Sequence, residues 1–310
     1  MRIVAALGGN ALLRRGEEPT ADNQRRNVCI AAQALVPLAL AHDLVITHGN
    51  GPQVGLLALQ SAAYRPDEAH PLDVLDAETE GQIGYLIEQA LRNLLPADRP
   101  CATLLTQIEV DPQDPAFRTP TKPIGPVHSE ADARKLESMR GWCFAQDGKD
   151  FRRVVASPQP QRILEQDVID LLIKEGVIVI CAGGGGIPTV RGQDGRFVGI
   201  EAVIDKDRAS ALLARQVKAD ALLMLTDVDA VHERWGAPNS SRFRKISTEN
   251  IRRFTFAAGS MGPKIDAACD FVEATDGIAG IGALKDAAAI LAGNAGTLIT
   301  RSAGQTAYWD

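Results

Sequence analysis

Residues 45–57 read VITHGNGPQVGLL, an apolar run followed by three glycines within seven residues and a second apolar stretch. This order predicts a buried strand, a loop whose backbone N–H groups can approach an anion, and a helix. A dinucleotide-binding turn reads G-x-G-x-x-G and is followed about twenty residues later by an acidic residue that ends a second strand. Here the spacing is G-x-G-x-x-x-G, and Asp73, Asp76 and Glu78 lie in a helical pattern. The stretch therefore predicts an anion-binding loop and disfavours a Rossmann site.

Similar apolar runs recur along the chain. They are continuous and do not alternate with polar residues, so both faces of each predicted strand should be buried. Helical patterns lie between them, and this order predicts an α/β fold, a three-layer αβα sandwich around an open, mainly parallel central sheet. The predicted strands are 2–7, 43–48, 101–110, 176–182, 221–228, 277–282 and 297–300. The predicted helices are 23–40, kinked or ended at Pro37, then 73–95, 161–175, 207–217, 263–273 and 284–291.

Residues 111–160 interrupt this pattern. They hold seven prolines and three glycines, which leaves no place for a long buried strand. We expect a small protruding subdomain or lid here, because a loop-rich insertion of this size is usually functional.

The composition limits the class of protein. A chain of 310 residues with 45 % hydrophobic content can form one large domain or two small ones. The net charge of -6 argues against a general nucleic-acid binder. No apolar stretch reaches the roughly 18 residues of a membrane span. Five scattered cysteines without a C-x-x-C pair predict reduced thiols in the cytoplasm.

Three glycine-rich loops follow predicted strands: LGGNAL at 7–12, HGNGPQVG at 48–55 and AGGGGIP at 182–188. In a parallel sheet, the loops after the strand C-termini gather at one edge, where ligands bind. One such loop is weak evidence because glycine is common in turns, but three in one chain predict a phosphate-binding edge. The absence of a G-x-x-x-x-G-K-[ST] motif disfavours a P-loop NTPase.

Cations should converge on such an edge, and three lysines have suggestive settings. Lys122 lies between prolines in PTKPIGP, Lys206 between two aspartates in VIDKDRAS, and Lys264 in the first turn of a predicted helix in GSMGPKIDAA. A lysine in a first turn opposes the helix dipole, and such a violation often marks a functional site. Any one of these lysines, taken alone, is more often a solvated surface charge.

Several acidic residues and one histidine have two interpretations. Asp207 could cap the helix that begins in DKDRASALL, or it could hold two lysines through charge-assisted hydrogen bonds. Asp227 and Asp229, in LTDVDAVH, could border a nucleotide or be ordinary turn residues. His48 borders the opening loop, either as a hydrogen-bonded supporting residue or as a catalytic base. The five histidines show no zinc-ligand spacing, so we expect no metal held by the protein itself.

In this order, the motifs resemble those of the carbamate kinases, a branch of the amino acid kinase superfamily. The matching stretches cover almost the whole chain: ALGGNAL, THGNGPQVG, PTKPIGP, RRVVASPQP, AGGGGIP, EAVIDKDRAS, LTDVDAV and GSMGPKIDAA. Many superfamily members carry a lysine two residues before the first glycine pair, where this chain has Ala6. Carbamate kinases also lack that lysine and supply one from a protruding subdomain in KPIGP, here Lys122.

The resemblance implies a role for each matching residue. Lys122, Lys206, Asp207 and Lys264 should be catalytic, with Lys122 reaching in from the lid. His128 and Ala156 in the lid depart from the aromatic residue and the proline that relatives often have. The implied acceptor-binding residues are Gly8, Gly9, Asn10, Gly49, Asn50 and Gly51, and the implied nucleotide-binding residues are Gly184, Gly185, Asp205, Thr226, Asp227, Val228 and Met261.

The resemblance also implies reversible phosphoryl transfer between ATP and carbamate, with Mg²⁺ arriving on the nucleotide. It further implies a homodimer that makes ATP from carbamoyl phosphate in arginine or purine breakdown. The single kinase domain would span 1–310, with a phosphoacceptor lobe at 1–204 and a nucleotide lobe at 205–310. Two alternatives stay open: another acyl-phosphate-forming amino acid kinase, and a non-catalytic nucleotide-binding regulator on the same fold.

Overall fold

The computed structural model describes residues 1–13, 16–18, 20–64, 70–237, 239–257, 259–302 and 304–310, without the side chains of Asn10 and Ala11. Within these ranges, no helix is both long enough and apolar enough to cross a membrane. The strands are β1 (Arg2–Leu7), β2 (Asp43–His48), β3 (Cys101–Thr103), β4 (Gln107–Val110), β5 (Lys122–His128), β6 (Cys143–Asp147), β7 (Asp150–Val155), β8 (Pro160–Ile163), β9 (Ile178–Ile180), β10 (Ile187–Arg191), β11 (Phe197–Gly199), β12 (Ala221–Thr226), β13 (Phe243–Ser247), β14 (Ile278–Ala283), β15 (Thr297–Thr300) and β16 (Ala307–Tyr308).

A nine-stranded sheet forms the centre of the molecule, in the order β16-β13-β15-β14-β12-β1-β2-β9-β3. Its neighbouring strands are parallel except for the pairs β14–β15 and β13–β16. β1 lies inside the sheet, where Ile3 is opposite Leu44 of β2 on one side and opposite Ala221 of β12 on the other. The C-terminal ends of β1, β2 and β12 therefore lie side by side at one edge.

Helices cover both faces of this sheet. The α-helices are α1 (Gly9–Leu12), α2 (Ala21–Ala41), α3 (Gly51–Tyr64), α4 (Leu72–Arg92), α5 (Glu130–Arg140), α6 (Gln166–Lys174), α7 (Lys206–Gln216), α8 (Thr248–Ile251), α9 (Met261–Thr275) and α10 (Ala287–Leu291). Successive side chains of a strand point to opposite faces. Val4 accordingly packs in a core with α6, α7 and α9, whereas Ile3 packs with α2, α4 and α10. The predicted three-layer α/β sandwich is confirmed.

Two smaller sheets lie beside the central one. The first has the order β11-β10-β4-β8, and the second has the order β5-β7-β6. The second sheet and α5 are built entirely from residues 111–160, which are called the insert below. β4 and β8, the strands just before and after the insert, pair with each other, so the chain leaves and re-enters at one place. Among the strands of the insert, only β7 has a run of buried residues. This agrees with the expectation that the prolines and glycines of residues 111–160 leave no place for a long buried strand.

The prediction of one strand over 101–110 was wrong, because the run divides into β3 and β4, which belong to different sheets. Thr106 lies at the break. Its hydroxyl accepts a hydrogen bond from the backbone N–H of Ala182 at 2.9 Å, and its own N–H donates to Glu80 at 3.0 Å. At this point side-chain hydrogen bonds replace the ladder that β3 forms with β9, and β4 then pairs with β10.

Two helix predictions also need correction. The predicted helix 161–175 begins only at Gln166, because the residues before it pair with β4 as β8. α2 continues through Pro37 to Ala41. Pro37 lies on the exposed face of α2, as does Gln33, whose carbonyl loses its intrahelical donor and can bond water instead.

Candidate active site

The first two glycine loops are in direct contact at the sheet edge. The N–H of Gly49 donates to the carbonyl of Leu7 at 3.0 Å, and the N–H of Gly8 donates to that of Leu225 at 2.8 Å. A Cβ atom on Gly49 would lie 3.1 Å from the backbone nitrogen of Gly9. A larger residue would push these loops apart, so glycine is required here for the close approach.

The third glycine loop packs beneath the second. Gly184 has φ of +69°, and a Cβ atom there would lie 2.3 Å from Nδ2 of Asn50. A Cβ atom on Gly185 would lie 2.2 Å from the carbonyl oxygen of Ile204, just before α7. These two glycines thus lie between the Asn50 loop and the start of α7.

Asp205 begins α7. Its side chain caps the helix by accepting hydrogen bonds from the backbone N–H groups of Asp207 at 2.9 Å and Arg208 at 3.3 Å. The alternative that Asp207 is the N-cap is therefore wrong, and the carboxylate of Asp207 is available for other partners.

Asp207 joins two lysines. Its Oδ1 atom lies 2.8 Å from Nζ of Lys206, and its Oδ2 atom accepts a hydrogen bond from Nζ of Lys264 at 2.8 Å. The Asp207 side chain is only 6 % exposed. Burial alone would raise its pKa, but the two ammonium groups lower it below the usual value. Asp207 is therefore a fixed anion that sets the spacing of two cations from different helices.

The third lysine comes from the insert. Lys122 is the first residue of β5, and its ammonium group forms an ion pair with Oδ2 of Asp205. Burial would raise the pKa of Asp205, but Lys122 beside it lowers the net value. The structure thus brings all three lysines that the sequence singled out to the N-terminal end of α7.

Close backbone packing holds the insert against this edge. A Cβ atom on Gly55, in α3, would lie 1.9 Å from the Cα atom of Gly125 in β5. Gly125 itself has φ of +70°, a conformation that favours glycine. The third glycine of the opening motif therefore allows α3 to contact the insert three residues from Lys122.

The remaining candidate residues follow β12 or begin α9. The hydroxyl of Thr226 donates to Asp227 at 3.1 Å, and Val228 next to them is half-buried. Met261 is the first residue of α9 and packs partly against the core, one turn before Lys264. Asn10 falls in α1, with its side chain outside the described part of the chain.

Three supporting residues on α4 were not predicted. Nδ2 of Asn50 donates to Oδ1 of Asp76 and to Oγ1 of Thr79, each at 2.9 Å. Glu80 accepts from the N–H groups of Thr106 at 3.0 Å and Gly183 at 2.8 Å. The sequence did hold a sign of their role. These polar residues lie on the same face of the helical pattern as the core leucines and isoleucines of α4, which indicates that they are buried.

Burial controls ionisation beneath the glycine loops. It raises the pKa of Asp76 well above its usual value and that of Glu80 to about 8. It lowers the pKa of His48 to about 4, so the imidazole is neutral near pH 7. Nδ1 of His48 lies 3.3 Å from the carbonyl of Gly49, and Nε2 has no hydrogen-bond partner among the described residues. This fully buried ring fits the supporting role considered for it better than that of a base.

The two insert residues that depart from the motif are accommodated by packing. The ring of His128 contacts that of Phe144 edge to face, with centroids 5.4 Å apart. The carbonyl of Ala156, which is buried, accepts a hydrogen bond from Val203 at 2.9 Å. In the part of the chain that the structure describes, no three His, Cys, Asp or Glu side chains are grouped to hold a metal ion.

Comparison with known proteins identifies the family. The sequence model of the amino acid kinase family matches residues 1–279. The carbamate kinase of Rhizobium meliloti is 55 % identical over 97 % of this chain and 94 % of its own length. That of Haemophilus influenzae is 53 % identical over the full length of both chains.

A solved structure has the same fold. The carbamate kinase from Giardia lamblia bound to AMP-PNP superimposes with a TM-score of 0.88 and 41 % identity, over 96 % of this chain and 98 % of that one. With its lysine cluster, its glycine loops and this similarity over the full length, the chain belongs to the amino acid kinase family and, within it, to the carbamate kinases.

Proposed function

We propose that the protein catalyses ATP + carbamate = ADP + carbamoyl phosphate. The observation that carries this proposal is the convergence of Lys122, Lys206 and Lys264 on two carboxylates beside the glycine loops. Three cations from three separate elements match the charge that a transferred phosphoryl group presents.

The reaction needs alignment and charge neutralisation more than a base. Carbamate is already a carboxylate anion, so one of its oxygens can attack the γ-phosphorus directly. The new O–P bond forms as the bond from phosphorus to the β-phosphate oxygen breaks, and ADP leaves with that electron pair. A neutral, buried His48 is consistent with a mechanism in which no proton is removed from the acceptor.

The lysines have distinct tasks in this proposal. Lys206 and Lys264, held by Asp207, bind the nucleotide phosphates, and Lys122 exchanges its contact with Asp205 for the phosphoryl group in flight. The acceptor lies between the loops of Gly8, Gly9 and Asn10 and of Gly49, Asn50 and Gly51. The nucleotide borders Gly184, Gly185, Asp205, Thr226, Asp227, Val228 and Met261.

The described residues do not form a protein-held magnesium site. The two carboxylates nearest the lysines, Asp205 and Asp207, are paired with those lysines. Mg²⁺ is hard and commonly binds through substrate phosphates, so it would enter as the magnesium–nucleotide complex, and the lysines supply the protein's own charge.

A coupled assay tests the reaction. ADP and carbamoyl phosphate are supplied and ATP is measured, with acetylglutamate and aspartate tested as acceptors from ATP. The proposal is supported if ATP forms from carbamoyl phosphate and neither acetylglutamate nor aspartate accepts a phosphoryl group from ATP. Preference for an amino acid acceptor would instead indicate another acyl-phosphate kinase, and nucleotide binding without turnover would indicate a regulator.

Two substitutions test the lysine roles. Lys122→Ala and Lys264→Ala should each lower turnover by roughly 10²–10³, because each removes a charge-assisted contact that strengthens in the transition state. Lys135→Ala is the matched control, since Lys135 is an exposed lysine on α5 of the insert. Turnover like that of the wild type in either site variant, with the fold intact by circular dichroism, would overturn the assignment.

Four further features are proposed from the family alone. They are a phosphoacceptor lobe at 1–204 with its lid at 111–160 and a nucleotide lobe at 205–310, a homodimer, a cytoplasmic location, and ATP synthesis in arginine or purine breakdown. Sedimentation equilibrium tests the dimer, and growth of a deletion strain on arginine or on purines tests the pathway.

A further inference from the structure

The orientation of the Asn50 side-chain amide follows from its hydrogen bonds to α4. The hydroxyl of Thr79 has one hydrogen, and it lies 3.0 Å from the carbonyl oxygens of both Leu75 and Asp76 on its own helix. With its hydrogen donated to its own helix, the Thr79 oxygen accepts a hydrogen bond from Asn50. The structure accordingly directs the NH₂ group of Asn50, and not its carbonyl, at Thr79.

Both hydrogens of this NH₂ group are in use. One goes to Thr79 and the other to Oδ1 of Asp76, each over 2.9 Å. The carbonyl oxygen of Asn50 has no hydrogen-bond partner among the residues that the structure describes. Asn50 can thus offer a ligand an acceptor and cannot offer it a donor.

The amide is also fixed in place. Asn50 is 2 % exposed, and Gly184 lies so close that a Cβ atom there would be 2.5 Å from Cγ of Asn50 and 2.9 Å from Oδ1. Asp76 behind it is fully buried, and burial raises its pKa well above the usual value. Its hydrogen bond from Asn50 helps to hold the amide in this orientation.

Resting on the proposed function, we propose that the carbonyl oxygen of Asn50 accepts a hydrogen bond from the amino group of carbamate and makes the site selective for an N–H-bearing acceptor. Carbamate and acetate share a carboxylate that loop N–H groups can bind equally. They differ in that carbamate has an NH₂ donor where acetate has a methyl group. A fixed acceptor discriminates between these two groups, because a methyl group leaves it unpaired.

The test compares two acyl phosphates in the full-length enzyme. ATP formation from ADP is measured with carbamoyl phosphate and with acetyl phosphate, in wild type and in Asn50→Ala. The kcat/KM for carbamoyl phosphate should fall at least about tenfold, and that for acetyl phosphate should change less than about threefold. If acetyl phosphate turnover is below detection, its inhibition constant against carbamoyl phosphate gives the same comparison.

A second variant acts through the orientation of the amide. Thr79→Val removes the acceptor that fixes the NH₂ group. It should lower the ratio of kcat/KM for carbamoyl phosphate to kcat/KM for acetyl phosphate by about threefold or more, as Asn50→Ala does. Thr189→Val is the matched control, because the Thr189 hydroxyl is buried and has no partner among the described residues. If kcat/KM falls equally for both acyl phosphates in Asn50→Ala and in Thr79→Val, so that the ratio is unchanged, the inference is overturned. A wild-type enzyme that makes no ATP from carbamoyl phosphate would instead refute the proposed function itself.

Discussion

The pKa values of buried acids are shifted in opposite directions in two regions of the sheet edge, the lysine side and the side beneath the glycine loops. Asp207 lies between two lysines and its pKa is lowered, whereas Asp76 and Glu80 lie under the glycine loops and their pKa values are raised. All three are buried, and burial alone raises the pKa of an acid. The neighbouring cations therefore decide the sign of the shift. The two lysines favour the ionised form of Asp207, whereas burial favours the protonated forms of Asp76 and Glu80.

The largest expected effect comes from removing the charge on the lysine side. Asp207→Asn leaves the buried Lys206 and the half-buried Lys264 beside each other without their anion. We expect the free energy of unfolding to fall by about 3–5 kcal/mol and turnover to be lost. Urea unfolding and the coupled assay measure the two effects.

The same substitution on the other side is the matched control. Asp76→Asn replaces a carboxyl whose pKa is raised by burial with an amide of the same shape, and should cost less than about 1 kcal/mol. Equal losses of stability in Asp207→Asn and Asp76→Asn would show that the two sides do not differ in charge state.

A smaller effect is expected from the contact that joins the insert to the loops. Gly55→Ala places a Cβ atom against Gly125 and should displace Lys122. Turnover should fall by roughly 10–10², because misplacement by about 1 Å can cost that much. In a Lys122→Ala background the same change should have little further effect, which a general loss of stability would not reproduce.

A glycine elsewhere provides the control for Gly55→Ala. A Cβ atom on Gly81, in α4, would lie 3.8 Å from the side chain of Leu105, an ordinary contact. Gly81→Ala should therefore leave turnover unchanged. Additive losses in the Gly55/Lys122 double variant would mean that Gly55 does not act through Lys122.

A separate expected effect is a pH dependence that comes from Glu80, beneath the glycine loops. Folding raises the pKa of Glu80 from 4.5 to about 8, so the folded state binds more protons between these values. The contribution of Glu80 to the free energy of unfolding should therefore decrease as pH rises from 4.5 to about 8, by at most about 1.4 kcal/mol per pH unit, and level off above.

The variant Glu80→Gln isolates this contribution. Urea unfolding between about pH 7 and 9 avoids the range from 4 to 6.5 in which His48 acts with the opposite sign. The variant should lose the slope, although it also loses one backbone hydrogen bond at all pH values. An identical slope in wild type and variant would show that Glu80 does not titrate in this range.

Local patterns in the sequence were sufficient for the lysines, the glycine loops and the layered fold. They were insufficient where a distant residue decides the outcome. Gly55 is required by its contact with Gly125, and Thr106, at the break between β3 and β4, binds Ala182; neither partner is near in sequence. Asp76 and Glu80 were passed over because a helical pattern does not reveal which loops its polar residues will meet.

The place of β1 in the sheet has a consequence for synthesis on the ribosome. β1 and β2 can pair once His48 has left the ribosome. The other edge of β1 stays unpaired until β12, which ends at Thr226, has been made. At 5–20 residues per second, this interval lasts roughly 10–35 s. Throughout it, a nascent chain carries an apolar strand with unpaired N–H and C=O groups, a template for pairing with another copy. We therefore expect slow translation or a shortage of chaperones to lower the yield of this protein by way of the interval before Thr226 is made.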